Sequence, residues 1–338
     1  MVDVPLPETP AGPPLPTAED VVRYVVATAV WAPSVHNTQP WRFSADGQEI
    51  CLHADPVRQL AVADPDGREM LISCGAALFT ARLAVRSMGY IPEAAVLPNP
   101  SEPTFVARVS WRQRAPATEY EQRLVRHVRQ RRTHRGGFDA LPISPDLLSA
   151  LRDGAARDGA TLRIMPETGR RVLAAAVQAA ERAFRLDSAR VQELASWAPP
   201  PGSPRSDGVP PTSYAAGPEH TNPDYPARDF AHGHGWGLPL FSPAPWPRSA
   251  GTVALLTTAD DRPLDWINAG HALQRLLLIA STCGVASALH SQPLELPLLR
   301  EDIRTRLSGG GYPQLVLRLG TVIQVASSVR RSPDDVIF

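Results

Sequence analysis

The chain has 338 residues, 43% of them hydrophobic, which is enough to bury a sizeable core in one large domain or two. Its 34 basic and 34 acidic residues cancel, so neither a nucleic acid nor an acidic membrane surface is implied as a partner. Apart from histidine every basic residue is arginine, and without lysine both Schiff-base chemistry and a Walker-type phosphate loop are excluded. Cys51, Cys74 and Cys283 are odd in number and lie in apolar contexts, which predicts free buried thiols in a reducing cytoplasm. No apolar run reaches the ~20 residues that span a bilayer. Met1 to Pro16 is proline-rich, with no basic or hydrophobic leader segment, and reads as a flexible arm.

Thr17 opens the first helix, with Asp20 as its capping-box partner and an apolar stripe of Val21, Val22, Val25, Val26 and Ala29. Pro33 stops that helix. A turn dense in short polar groups follows (Ser34, His36, Asn37, Gln39), and Trp41 and Phe43 begin an alternating strand. Glu49 to Asp55 reads as a strand, Asp64 to Gly67 as a turn, and Arg68 to Met88 as a long helix closed by Gly89. Phe105 to Val109 alternates again. A basic segment runs from Arg123 to Arg135. After it come a helix (Pro145 to Ala156), a strand (Thr161 to Met165) and one helix from Thr168 to Leu194. Trp197 to Arg248 is rich in proline and glycine, too long for an ordinary connection, and reads as a lid. Val253 to Thr258 is a strand, and Leu264 to Cys283 a second long helix closed by Gly284. Ser291 to Leu307 is a loop and short helix, Leu315 to Leu319 the last strand, and Val325 to Phe338 a tail.

The turn Pro33-Ser34-Val35-His36-Asn37-Thr38-Gln39-Pro40-Trp41 resembles the P-S-x-x-N-x-Q-P-W signature of the FMN-dependent nitroreductase family. In that family the turn of one subunit contacts the flavin of the other. The resemblance implies an α+β nitroreductase-like fold and assigns Ser34, His36, Asn37 and Gln39 to flavin binding.

The chain also repeats itself. Ile72, Gly75, Ala77, Leu78, Leu83 and Gly89 align without gaps on Ile267, Gly270, Ala272, Leu273, Leu278 and Gly284. Pro103, Val106 and Arg108 align on Pro313, Val316 and Arg318, and Asp66 and Asp261 fall at one offset. This predicts two degenerate repeats, residues 17–120 and 121–338, forming an intramolecular pseudo-dimer whose small-residue helices cross at the centre. The family builds its flavin site from that turn and a phosphate-binding R-x-S-x-R segment of the other subunit. Here the first half keeps the turn and the second keeps an arginine cluster, so one chain should hold one site.

Arg131, Thr133 and Arg135 alternate, so in extended chain they point the same way, and paired guanidiniums suit a phosphate. By the resemblance these residues, with Arg132, hold the FMN phosphate. Arg330 and Arg331 in the tail reach the same group, and His290 and Ser291 lie beside the ring. Phe138 departs from the family spacing by one residue. His232 and His234, in the lid, lack further ligands at convincing spacing, so no metal is expected.

The function implied is an FMN-binding oxidoreductase that takes hydride from NAD(P)H and passes it to a small electron-poor acceptor such as a nitroaromatic or quinone, by a ping-pong route. No side chain is required as acid or base, so no catalytic residue is assigned; Arg135 is expected to stabilise negative charge on the reduced ring. The closest likeness within the family is the actinobacterial Acg-like branch. It gives the alternative reading of a flavin-sequestering stress protein whose lid closes the site.

Overall fold

Thr17 accepts the Asp20 backbone N–H and Asp20 returns a bond to the cap, so helix α1 (Ala18–Ala29) starts where the sequence places it. The computed structural model describes residues 17–214, 222, 224–230, 249–322 and 328–338. The arm at 1–16 and the His232/His234 segment lie outside them.

In chain order the other elements are β1 (Trp41–Asp46), β2 (Glu49–Ala54), α2 (Arg68–Ser87), β3 (Glu93–Val96), β4 (Phe105–Ser110), α3 (Glu119–His127), α4 (Pro145–Arg157), β5 (Ala160–Ile164), α5 (Glu167–Leu186), α6 (Ser188–Ser196), β6 (Thr252–Thr258), α7 (Pro263–Thr282), β7 (Ala286–His290), α8 (Pro297–Leu307) and β8 (Tyr312–Gly320). The strands form two four-stranded antiparallel sheets, ordered β1-β2-β4-β3 and β5-β6-β8-β7. The two sheets therefore share one strand order, an outer-inner-inner-outer path with the last two strands exchanged.

Helix α2 serves both cores. One side of it, with Cys74, Ala77, Leu78 and Ala81, packs on α1 and the first sheet. The other, with Ile72, Phe79 and Leu83, packs on α7, α4 and the second sheet. By length and composition α2 could cross a membrane, but it is the buried core helix. Its contact with α7 is backbone to backbone. A Cβ added at Gly75 would lie 2.2 Å from the Ile267 carbonyl oxygen, and one at Gly270 would lie 2.0 Å from that of Ile72. At the same crossing the buried Gln274 amide donates to Thr80 Oγ1 at 2.9 Å.

Some elements differ from the sequence expectation. The single helix expected over 168–194 breaks at Asp187, whose side chain accepts the N–H groups of Ala189 and Arg190 and starts α6. The basic segment contains α3, opened by a Thr118/Glu121 capping box. Strand β3 is exposed at the sheet edge, so it has no apolar alternation to read. Strand β7, to which the sequence pattern assigns no element, is set by its pairing with β8. The thiol of Cys283 is exposed, because the residue caps the end of α7; Cys74 is buried and Cys51 half-buried.

Gly270→Ala is expected to cost about 3 kcal/mol in urea unfolding, since the methyl must displace rigid backbone. Gly154→Ala should stay within about 1 kcal/mol of the native protein, because its methyl meets only the movable ends of Ile279 and Arg275 and gains helix propensity.

Candidate functional site

Beyond α1 the chain enters a strained turn. His36, Asn37 and Gln39 have φ of 47°, 56° and 50°, a left-handed conformation that costs non-glycine residues about 1 kcal/mol each. Side chains hold it there. Ser34 Oγ accepts the Gln39 N–H at 3.0 Å. Asn37 Nδ2 donates to the Gly208 carbonyl at 2.9 Å and the Val329 carbonyl at 3.2 Å, tying the turn to both the proline-rich segment and the tail.

The arginine segment lies extended beside β7: Thr133 pairs with Ser287, and the His134 N–H donates to the Ser287 carbonyl at 2.7 Å. This register sends Arg131, Thr133 and Arg135 toward the turn. Together with Arg132, Arg330, Ser34 and Asn37 they line one small cavity. The first part of the chain and its middle thus meet at one place, although they are far apart in sequence.

The charges in this cavity are unbalanced. Arg131 is 3% exposed, and among the described residues its Nε and Nη1 have no partner, while Nη2 reaches the Trp31 carbonyl at 3.3 Å. Arg330 Nε is also unpartnered. Among the described residues no carboxylate pairs with Arg131, Arg132, Arg135 or Arg330. Burial, then repulsion from Arg132 and Arg135, pulls the Arg131 guanidinium down to about 9. Burial alone pulls Arg135 down to about 10. Arg330 falls well below the usual arginine range, through burial and then repulsion from Arg131. The Trp31 ring supplies a cation–π face to Arg132 at 4.9 Å and Arg330 at 5.5 Å. Buried cations with free donors and no counter-ion form an anion cradle.

A wider cavity adjoins the cradle and shares Ser34, Thr133 and Arg135 with it. Its floor comes from Ile72 and Ser73 of α2, Leu273 of α7, and Ala288 and Leu289 of β7. His36 of the turn and Arg228 and Phe230 of the proline-rich segment also line it. Phe230 lies edge-on to His36 at 5.5 Å, and Arg135 stands over its ring at 5.6 Å. Burial, with Arg228 and Arg135 nearby, pushes the His36 imidazole well below its ordinary range, so it is neutral at pH 7. Ser291 lines the cavity, accepts from Arg228 Nη2 at 2.9 Å and donates to Glu295 at 2.9 Å. The slot is mostly apolar, with convergent polar groups, and suits a flat ring whose anionic tail reaches the cradle.

Of the residues singled out from sequence, Ser34, Asn37, Arg131, Arg132, Thr133, Arg135 and Arg330 share the cradle, and His36, His290 and Ser291 line the wide slot. Gln39 and Arg331 line neither. Gln39 is fully buried: its amide donates to the Ser206 carbonyl at 2.9 Å and its Oε1 accepts the Arg331 N–H at 2.8 Å. Buried backbone groups must be paired, and Gln39 is spent on that. Arg331 is turned away, onto the carbonyls of Gln39 and Asp335.

Glu69, Arg228, Phe230 and Arg318 belong to the slot and were missed. For Arg318 the signal was present: a charge flanked by Leu317 and Leu319 in an apolar strand. Among the described residues no group of three or more His, Cys, Asp or Glu is placed to hold a metal.

No family model matches the chain. A Mycobacterium tuberculosis protein named "Putative NAD(P)H nitroreductase" is 34% identical over 306 residues, covering 90% of this chain and 86% of that protein. This chain belongs to the nitroreductase family. A second member from the same organism, named as a nitroreductase and called acg, is 29% identical over 324 residues, covering 94% of this chain and 95% of its own. Among solved structures, the FMN- and NADPH-dependent nitroreductase NfnB from sphigopyxis sp. strain HMH aligns with 64% of this chain and 97% of its own, at 16% identity and a TM-score of 0.40. The architecture of this nitroreductase is α+β.

Glu69 gives a test of the slot's dryness. Burial, then Glu295, raises its carboxyl to about 8 against the opposing pull of Arg68. A raised folded value means that its stabilising contribution is present below the unfolded value of about 4.3 and is lost as pH rises through about 8. The unfolding free energy of the native protein relative to Glu69→Gln should therefore fall between pH 5 and 8, read by urea titration at each pH. A flat difference would mean that water reaches the carboxyl.

Proposed function

We propose that the two joined cavities hold one FMN and that the protein reduces small electron-poor acceptors, nitroaromatics or quinones, at the expense of NAD(P)H. The observation that carries this reading is the buried Arg131 guanidinium, with two nitrogens that have no partner and no counter-ion among the described residues, in the cradle that adjoins the apolar slot. The names of the relatives support the nicotinamide as electron source. Bound FMN would supply the hydride chemistry, taking hydride from NAD(P)H and giving it to the acceptor in two separate encounters.

The chain's own residues bind, orient and exclude water. Arg131, Arg132, Thr133, Arg135 and Arg330 would hold the phosphate, and Ser34 and Asn37 close the cradle from the opposite side. Arg135 lines both cavities, so its positive charge favours the electron-rich state of the ring. Residues 17–120 supply the turn and residues 121–338 the arginines, so we read the site as composite, in a monomer organised as a pseudo-dimer. The reading of 197–248 as a lid rests on Arg228 and Phe230 in the slot wall.

Phe230, packed between His36 and Arg135, favours a second reading: a flavin-holding protein whose lid leaves an acceptor little room. Bleaching of the bound flavin by NADPH without air, followed by reoxidation by a nitroaromatic, selects the first reading; a flavin that binds but does not bleach selects the second.

Arg131→Ala with Arg330→Ala, both confined to the cradle, should weaken FMN binding by about a hundredfold or more, since each lost charge-assisted pair is worth about 1.5–3 kcal/mol, while riboflavin, which has no phosphate, is held as before. Fluorescence titration reads both ligands. Equal loss for the two would break the phosphate assignment.

A further inference from the structure

Arg318 is a fully buried cation with no carboxylate partner among the described residues. Its Nη2 donates to the Gly136 carbonyl at 3.1 Å and its Nη1 to the Ala250 carbonyl at 3.3 Å. Its plane lies against the rings of Phe138 at 5.2 Å and Tyr225 at 5.4 Å. These contacts fix the guanidinium. Its Nε–H points at His290 Nε2 at 2.8 Å.

The placement follows from strand register. Ala288 stands opposite Arg318 and His290 opposite Val316, so His290 and Arg318 are diagonal neighbours on one face of the β7–β8 pair. Both residues line the wide slot.

A guanidinium has donors only, so the histidine nitrogen it meets must offer a lone pair. Neutral imidazole carries its single proton on the other nitrogen. Here that nitrogen is Nδ1, which is buried and has no partner among the described residues. Burial, with Arg318 and Arg228 close by, pushes His290 well below its ordinary range, so the ring is neutral at pH 7.

We propose that Arg318 is a positioning residue that locks His290 in its Nδ1–H form, so that His290 offers the slot one fixed hydrogen-bond donor for an acceptor atom on the edge of the bound aromatic ring. The ligand role rests on the functional reading above, whereas the tautomer is a property of the chain alone. A slot with a fixed donor prefers rings that carry a carbonyl or pyridine-type nitrogen at that edge, as isoalloxazine does, over purely hydrocarbon rings.

The test has two arms. Long-range ¹H–¹⁵N correlation spectra of the flavin-free protein at pH 7.5, with the His290 signal identified by its loss in His290→Phe, should show Nδ1 protonated and Nε2 bare. Arg318→Met should move His290 to the Nε2–H form or to a mixture. A wild-type Nε2–H ring, or a tautomer indifferent to Arg318→Met, overturns the positioning role; if Arg318→Met does not fold, the wild-type spectrum alone decides. In the second arm His290→Phe should lose about tenfold in affinity for FMN and riboflavin alike, the value of one hydrogen bond, whereas the cradle variant loses FMN only. Unchanged affinity for both overturns the donor role. A wild-type protein that binds no flavin overturns the functional reading and the donor role together, and the spectrum then separates the fate of Arg318 from theirs.

Discussion

The molecule depends on one close approach, between Gly75 of α2 and Gly270 of α7. Each glycine faces the partner helix's backbone carbonyl at a distance that no side chain fits. Two helices at that spacing bring their sheets to opposite flanks, and α2 becomes a wall shared by two cores. The slot opens beside this crossing: Ile72 and Ser73 flank Gly75, and Leu273 follows Gly270. A wider crossing would part the turn after α1 from the arginine segment after α3.

Around that frame the protein concentrates costs that a core normally avoids. Three non-glycine residues take left-handed backbone within four positions, and four arginines lose water without gaining a carboxylate. Backbone ties offset the strain: Asn37 binds the proline-rich segment and the tail at once, and Gln39 pairs two half-buried backbone groups. Only part of the charge cost is met, by the Trp31 ring and a few carbonyls. The remainder is what an anionic ligand would relieve. A site that is under-satisfied when empty binds its ligand partly by recovering that deficit.

The tail belongs to the same economy of contacts. Ile337 runs beside Phe43 of β1, with the Phe43 N–H on the Val336 carbonyl and the Phe338 N–H returned to Phe43. That clasp is local and exposed at its end, yet it delivers Arg330 into the cradle some distance upstream. Arg331, one residue on, faces the other way because extended chain alternates its side chains.

The sequence by itself determined the two long helices, the capped start of α1, the turn and the arginine alternation, because each is written in spacing that depends on near neighbours only. The signature turn and the arginine segment could also be picked out as residues that share a site, and the structure brings Ser34, Asn37, Arg131, Thr133 and Arg135 to one cavity. Only the tertiary structure decided that Gln39 is a brace and that Arg318 and Glu69 belong to the slot. It also decided that β3 and β7 are strands. Those facts depend on which distant backbone groups are buried together: an edge strand is made by its neighbour's hydrogen bonds, and a lone buried charge declares its role only when its partners across the sheet are known.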